Sequence, residues 1–310
     1  MAIDADSRGV FAIAPTPFRP DGAVDSASLH RLIDFYGSAG VTGLTVLGQM
    51  GEAPKLTAEE SLAIVRTVLE RTAVPVVVGV TAAGFGTMRT LAHEAMAMGA
   101  AGVMIAPPNT LRTDDQIIAY YTQAAESLGS DVPICLQDYP LSFSVQISPG
   151  VISRIVEAVP SVVMLKHEDW PGLEKISAIR AREQAGQRRL SILCGNGGLF
   201  LDFEVERGAD GAMTGYCFPE LLVDVVRLTG SGRRDEAHDL FDAHLPLIRY
   251  EQQPGTGLAV RKYVMQRRGI LDSAAQRRPG RELSTGEREE VDFLLARLAR
   301  HDSRARVPNP

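Results

Sequence analysis

Lys166 ends the apolar run Ser161-Val-Val-Met-Leu-Lys166 and is followed at once by His167, Glu168 and Asp169. The chain has only four lysines (Lys55, Lys166, Lys175 and Lys262); the rest of its 32 basic residues are arginines. An amine at the tip of a hydrophobic strand is partly removed from water, which favours its neutral, nucleophilic form. Such a lysine can form a Schiff base with a carbonyl substrate. In an arbitrary protein a strand-end lysine more often points into solvent, so the reading depends on the repeat in which Lys166 falls. Side chains alternate faces along a strand, so Lys166 and Glu168 share a direction with Met164, and His167 points the other way, among the helices. A carboxylate beside a Schiff-base lysine is a general acid/base for moving protons at the substrate's neighbouring carbons. The alternative for Glu168 is a loop carboxylate paired with an arginine.

The elements that position these groups recur along the first 215 or so residues. Short apolar runs occupy residues 9–14, 43–47, 75–80, 102–106, 133–137, 162–166, 190–194 and 211–214, each followed by turn residues and a helical pattern. Continuous rather than alternating hydrophobicity is the mark of buried parallel strands. Thr57-Ala-Glu-Glu60 is a capping box, and the helix after it places Leu62, Val65, Val68 and Leu69 on one face. Eight strand–helix units in order predict an α/β fold, a closed (β/α)8 TIM barrel. A doubly wound sheet would want a glycine-rich phosphate turn after its first strand, and here that turn reads Ala14-Pro-Thr-Pro-Phe18. From about Leu222 the pattern is helical, with amphipathic stretches at 235–250 and 258–268, a loop at Arg277-Arg-Pro-Gly-Arg-Glu282, and a last helix capped by Ser284-Thr-Gly-Glu287. The expected organisation is a catalytic barrel over 1–221 and a C-terminal helical extension over 222–310 packed on it, with 302–310 a frayed tail.

Barrel enzymes place catalytic groups at the C-terminal ends of the strands. Those ends read Gly48-Gln-Met-Gly-Glu52, Gln137-Asp-Tyr-Pro140, Lys166-His-Glu168, Cys194-Gly-Asn196 and Met213-Thr-Gly215. The candidate substrate-binding residues are therefore Gly48, Gln49, Met50, Gly51, Gln137, Gly195, Asn196, Met213 and Thr214, around Lys166 as the only amine. Gly48 and Gly51 flank backbone N–H groups that could bind a carboxylate; a tight strand-to-helix turn would look the same. Asp138 alternates away from Gln137 and is expected to orient a neighbouring loop.

Bulk composition excludes several classes. The 310 residues are 45% hydrophobic and 23% charged, ordinary for a globular protein, and the net charge of −6 with no basic–aromatic cluster argues against a nucleic-acid partner. Cys135, Cys194 and Cys217 lack CxxC spacing and read as small buried hydrophobes in a reducing compartment. The six histidines show no HxxxH or HExxH pairing, so no metal site is expected. The start Met1-Ala-Ile-Asp-Ala-Asp has no basic flank or apolar core, and no apolar stretch approaches a bilayer span, so the cytoplasm is the expected location.

Taken in order and spacing, Ala12-Ile-Ala-Pro-Thr-Pro-Phe18, the GxxGE loop at 48–52, the strand-six lysine and the C-terminal helices resemble the dihydrodipicolinate synthase/N-acetylneuraminate lyase family over essentially the whole chain. These are class I pyruvate-type aldolases and dehydratases on a (β/α)8 barrel. The resemblance implies that Lys166 forms the covalent imine with a 2-keto acid without other cofactor, that the 48–51 loop holds the keto acid's carboxylate, and that the protein is a homotetramer. Departures are informative. The family's Thr/Ser pair in the loop is Gln49-Met50 here, its Tyr-Asn-x-Pro signature is Gln137-Asp-Tyr-Pro140, and the synthases' following arginine falls near Ser142 or Phe143. Pro107-Pro-Asn109 replaces the aromatic pair after strand four. Segments 48–56, 137–143, 166–176, 211–220 and 251–263 look most like the L-2-keto-3-deoxyarabonate dehydratase branch. That resemblance implies removal of water from a 2-keto-3-deoxy-pentonate to give 2-oxoglutarate semialdehyde, with Glu168 taking over the missing tyrosine's proton transfer and Tyr139 a second candidate acid, its placement disturbed by Pro140. A retro-aldolase releasing pyruvate from a 2-keto acid, and a non-catalytic keto-acid binder, are the competing readings.

Overall fold

The computed structural model describes residues 1–308. Eight parallel strands close into a barrel in chain order: β1 (Gly9–Ile13), β2 (Gly43–Val46), β3 (Val76–Gly79), β4 (Gly102–Ile105), β5 (Ile134–Asp138), β6 (Val162–His167), β7 (Ser191–Cys194) and β8 (Gly211–Ala212). Six lie within the apolar runs read from the sequence; β5 and β6 each run one residue further, pairing Gln137 with Lys166 and Asp138 with His167. Their continuous hydrophobicity follows from burial on both faces. Inward-facing Phe11, Val77, Met104, Cys135, Met164, Leu193 and Met213 fill the barrel, while Val10, Leu44, Val78, Leu136, Leu165 and Ile192 pack outward on the helices. Ile3 closes the N-terminal end, its N–H donating to the Ala101 carbonyl at 2.9 Å.

The crossover helices are α1 (Ser26–Ser38), α2 (Ala58–Arg71), α3 (Phe85–Ala97), α4 (Asp114–Leu128), the single turn α5 (Pro140–Phe143), α6 (Pro149–Ala158), α7 (Leu173–Gln184), α8 (Leu201–Glu206) and α9 (Pro219–Gly230). The capping box at Thr57 is present, and Thr113 with Gln116 forms another that the sequence reading passed over. On α2 the buried face is carried by Ile64, Val65 and Val68; Leu62 and Leu69 are only half-buried at its flanks.

Two expectations about the C-terminal part are corrected. The boundary at 221/222 falls inside α9, which packs on β1 and β8 and is the eighth crossover helix, so the barrel ends at Gly230. The extension is α10 (Arg234–Glu251), α11 (Gly257–Arg267) and α12 (Thr285–Leu298), the last capped by Ser284 as expected. Nor is the tail frayed from Asp302. That carboxylate caps a turn at Ser303–Ala305 and takes a hydrogen bond from buried His244 (3.0 Å), whose other ring nitrogen meets the Tyr216 hydroxyl (2.9 Å). Arg304 binds Asp302 and reaches Asp224 of α9 at 2.8 Å. Buried partners, invisible in the local sequence, hold this segment; residues 309–310 lie outside the described part. Burial opposes ionisation of Asp302, but the bonds from His244 and Arg304 prevail and keep it well below the usual carboxylate range. Asp302→Ala should therefore lower stability by about 2–4 kcal/mol in thermal or urea unfolding. A loss below about 0.5 kcal/mol, the scale of a neutral surface change, would show that the docked tail contributes nothing.

Candidate active site

Lys166 and Glu168 leave β6 on its inner face, and strand register sets Gln137 of β5 beside Lys166. Lys166 Nζ lies 3.0 Å from Glu168 Oε2, each side chain only 7% exposed. Gln137 Nε2 donates to the same oxygen at 2.7 Å, and the Asn196 N–H donates to Oε1 at 3.2 Å. Charge is tolerated in such a place only when paired and hydrogen-bonded, and both conditions are met. Gly195 makes the arrangement possible, because a Cβ there would stand 2.3 Å from Glu168 Cγ. Chemically, a proton passed from the amine to Glu168 leaves a neutral nucleophile next to a carboxylic acid.

A cavity of about 80 Å³ opens above this pair. Of the residues singled out from the sequence, Lys166, Glu168, Tyr139, Gln49, Met50, Asn196 and Thr214 line it. Gln137 serves it through Glu168. Tyr139 is no longer on the strand: β5 stops at Asp138 and Pro140 opens α5, yet the ring still reaches the cavity from the helix cap. Burial and the Glu168 carboxylate raise its hydroxyl above the ordinary tyrosine value, so it stays protonated and able to donate. Met213 does not reach the cavity; strand alternation directs it into the barrel interior, where its sulfur lies 3.9 Å from Cys135 Sγ. Gly48 and Gly51 stand behind the wall formed by Gln49 and Met50. Their turn is bracketed by left-handed Leu47 (φ 56°) and Glu52 (φ 54°), and Thr16 Oγ1 anchors it by donating to the Gly51 carbonyl at 2.7 Å. This gives the Ala-Pro-Thr-Pro-Phe opening a local purpose.

Four positions around the site were given no role by the sequence reading. Glu52, buried, accepts from Lys262 Nζ at 2.6 Å and Lys55 Nζ at 2.7 Å, clamping the loop to α11. Burial lowers the Lys262 amine from its ordinary value against the pull of Glu52. Gln252 and Arg261, from the extension, complete the cavity wall, and Arg261 is paired with buried Glu251 at 2.8 Å. The available signals were the scarcity of lysines and the 251–263 segment, in which Gln252, Arg261 and Lys262 all occur.

A buried lysine–glutamate pair stands at the mouth of a (β/α)8 barrel. Residues 6–298 match the dihydrodipicolinate synthetase family. The chain is 32% identical over 304 residues to an L-2-keto-3-deoxyarabonate dehydratase of Azospirillum brasilense, covering 94% of each. It is 29% identical over 245 residues to a 4-hydroxy-tetrahydrodipicolinate synthase of Methanothrix thermoacetophila, covering 78% of this chain and 81% of the relative. The crystal structure of a dihydrodipicolinate synthase from Rhodopseudomonas palustris superposes with a TM-score of 0.95 at 60% identity, covering 96% of this chain and 99% of that one. The chain belongs to the dihydrodipicolinate synthetase family and is a lyase of that family.

Behind β6 a second polar layer holds the site from outside. His167 faces outward as expected, its Nε2 3.1 Å from the Gly172 carbonyl. Asp138 pairs with Lys175 (2.8 Å), which also binds Asp169 (2.6 Å), so Asp138 does hold the loop after β6 to α7. Glu204 of α8 is buried in the same layer; burial pushes its carboxyl from 4.5 up to about 7, against His167 and Cys194. The folded chain thus holds this proton more tightly than the unfolded chain does. Stability from this group is complete below about pH 4.5 and is lost as pH rises through about 7, by up to about 3 kcal/mol. Calorimetry from about pH 5 to 8 should show that loss, and Glu204→Gln should flatten it. An equally steep profile in the variant would mean that Glu204 is ionised throughout.

Proposed function

We propose that this lyase forms a Schiff base through Lys166 and dehydrates a 2-keto-3-deoxy sugar acid of the L-2-keto-3-deoxyarabonate type, giving 2-oxoglutarate semialdehyde. The observation that carries this reading is the Lys166–Glu168 contact, with Gln137 where the family's relay tyrosine would stand. Lys166 Nζ adds to C2 and the carbonyl oxygen leaves as water, giving an iminium. Glu168 removes a C3 proton, and the resulting enamine expels the C4 hydroxyl, which takes a proton from Glu168 or Tyr139 and leaves as water. Loss of a proton from C5 and of the C5 hydroxyl proton, with return of one proton each to C3 and C4, turns C5 into an aldehyde. Hydrolysis then frees the lysine, so the net change is loss of one water. The full-length likeness to the Azospirillum dehydratase supports this reading.

The second reading is C–C bond chemistry at the same imine, either retro-aldol release of pyruvate or condensation. It is favoured by the name of the Rhodopseudomonas relative, a dihydrodipicolinate synthase. Against condensation with a second charged substrate, the residues after Gln137 lack the arginine that the family's synthases use. A homotetramer in the cytoplasm, acting in sugar-acid breakdown, completes the proposal.

Borohydride trapping with 2-keto-3-deoxy-L-arabonate, followed by peptide mapping, should give an adduct on Lys166 whose mass shows loss of water from the acid. An adduct of pyruvate mass would favour the second reading, and a folded protein trapped by neither this acid nor pyruvate would make a keto-acid binder the better description. Lys166→Ala should abolish turnover, and Glu168→Gln should lower kcat by about 100- to 10,000-fold while an adduct still forms.

A further inference from the structure

The loop Arg277-Arg-Pro-Gly-Arg-Glu282 walls a second cleft, separate from the cavity above Lys166. The cleft measures about 650 Å³, against about 80 Å³ for that cavity, and is of small-molecule size. Its floor is formed by buried Ala259 and Tyr263, one turn apart on α11, and by buried Leu283. Four arginines also line it, Arg277, Arg278, Arg281 and Arg288, against the carboxylates of Asp21 and Glu282. They are unequally committed. Arg277 spends all five guanidinium N–H groups within the protein, on the Gly22 and Lys55 carbonyls and on Glu60. Arg281 is bound to Glu287 and to Thr256 Oγ1. Arg278, exposed, has neither a carboxylate nor any other side-chain acceptor among the described residues. Arg288 comes only within 3.9 Å of Glu282, past hydrogen-bond reach, with its guanidinium carbon 5.9 Å from the centre of the Tyr263 ring.

The wall beside these open guanidiniums is held from behind. Lys262 Nζ donates to the Ala275 carbonyl and Lys55 Nζ to the Arg277 carbonyl, both at 2.9 Å, and the Arg277 N–H donates to Glu52 at 3.1 Å. Gln276 Nε2 donates to the Arg281 carbonyl at 3.0 Å and folds the loop back on itself. A ligand therefore meets an ordered segment, which lowers the cost of binding. Of the two carboxylates, Asp21 stands 3.6 Å from Arg19, and Glu282 is 83% exposed, so both open guanidiniums keep their charge for an incoming anion. Planar N–H forks without acceptors suit an acceptor-only oxyanion, and a phosphoryl group supplies enough oxygens for two of them. We propose that this cleft binds a small organic phosphate, with its phosphoryl oxygens on Arg278 and Arg288 and its apolar body over Tyr263 and Ala259. The assignment uses neither Lys166 nor an imine and is independent of the reaction proposed above.

The test is calorimetric titration with phenyl phosphate and with inorganic phosphate at fixed ionic strength. It uses the wild type, Arg278→Ala, Arg288→Ala, the double variant, and Arg66→Ala, which removes an exposed arginine of α2 remote from the cleft lining. Both cleft arginines are exposed, so their variants should fold. The wild type should bind phenyl phosphate with a Kd below about 1 mM and several-fold tighter than inorganic phosphate. Each single variant should weaken phenyl phosphate about fivefold to tenfold, the scale of one charge-assisted contact partly open to water, and the double variant should bind none measurably. Arg66→Ala should match the wild type. No binding by the wild type, equal affinity for inorganic phosphate, retention by the double variant, or the same loss in Arg66→Ala each overturns the assignment.

Discussion

The site depends on one buried ion pair. Placing an ammonium and a carboxylate out of water costs several kcal/mol per ion unless geometry compensates. Lys166 and Glu168 meet that condition through two residues' separation on one strand face, with Gln137 and the Asn196 N–H taking up the remaining acceptor capacity of Glu168. Each partner comes from a different strand, β5, β6 or the end of β7, so the pair is stable only where these three strands are adjacent and in register. Barrel closure is thus a condition for the charge arrangement as well as for the core.

The C-terminal extension belongs to that arrangement. Consecutive residues of α11 act in different directions: Arg261 faces the cavity, and Lys262 holds Glu52 at the root of the 48–51 loop. Glu52 sits in a left-handed conformation next to this pairing, and Arg277 donates its backbone N–H to the same carboxylate at 3.1 Å. A backbone geometry that disfavours most side chains persists because surrounding contacts over-determine it. The loop that forms one cavity wall is therefore fixed by a helical residue 210 positions away in sequence.

Outside the barrel, the Asp138–Lys175–Asp169 cluster, His167 and Glu204 form a polar layer between β6 and its helices. It secures α7 and α8 against the strand that carries Lys166. Strand alternation explains both layers at once. Successive residues 166, 167 and 168 point in, out and in, so one hexapeptide strand supplies the chemistry on one face and its anchoring on the other.

Much of this was legible in the chain by itself, because the signals are local. Apolar runs at βα spacing specified eight buried strands, Thr57 and Ser284 marked helix starts, and period-two alternation put Lys166 and Glu168 on one face with His167 opposite. What the sequence could not disclose depends on contacts between distant segments. The eighth crossover helix looked like part of the extension because a helical pattern does not say which surface it will cover. The tail looked frayed because its partners, His244 and Asp224, lie far upstream. Met213 looked like a mouth residue because position at a strand end does not fix depth in the barrel. Gln252, Arg261 and Lys262 carried no readable role, since a polar side chain at a helix end or on a helix joins the site only when the fold packs it against that site, as Met50, Glu251 and Glu52 surround Arg261 and Lys262. Local periodicity determined the elements and set Lys166 and Glu168 on one face; only tertiary packing, which decides which charges lose their water and beside whom, completed the cavity.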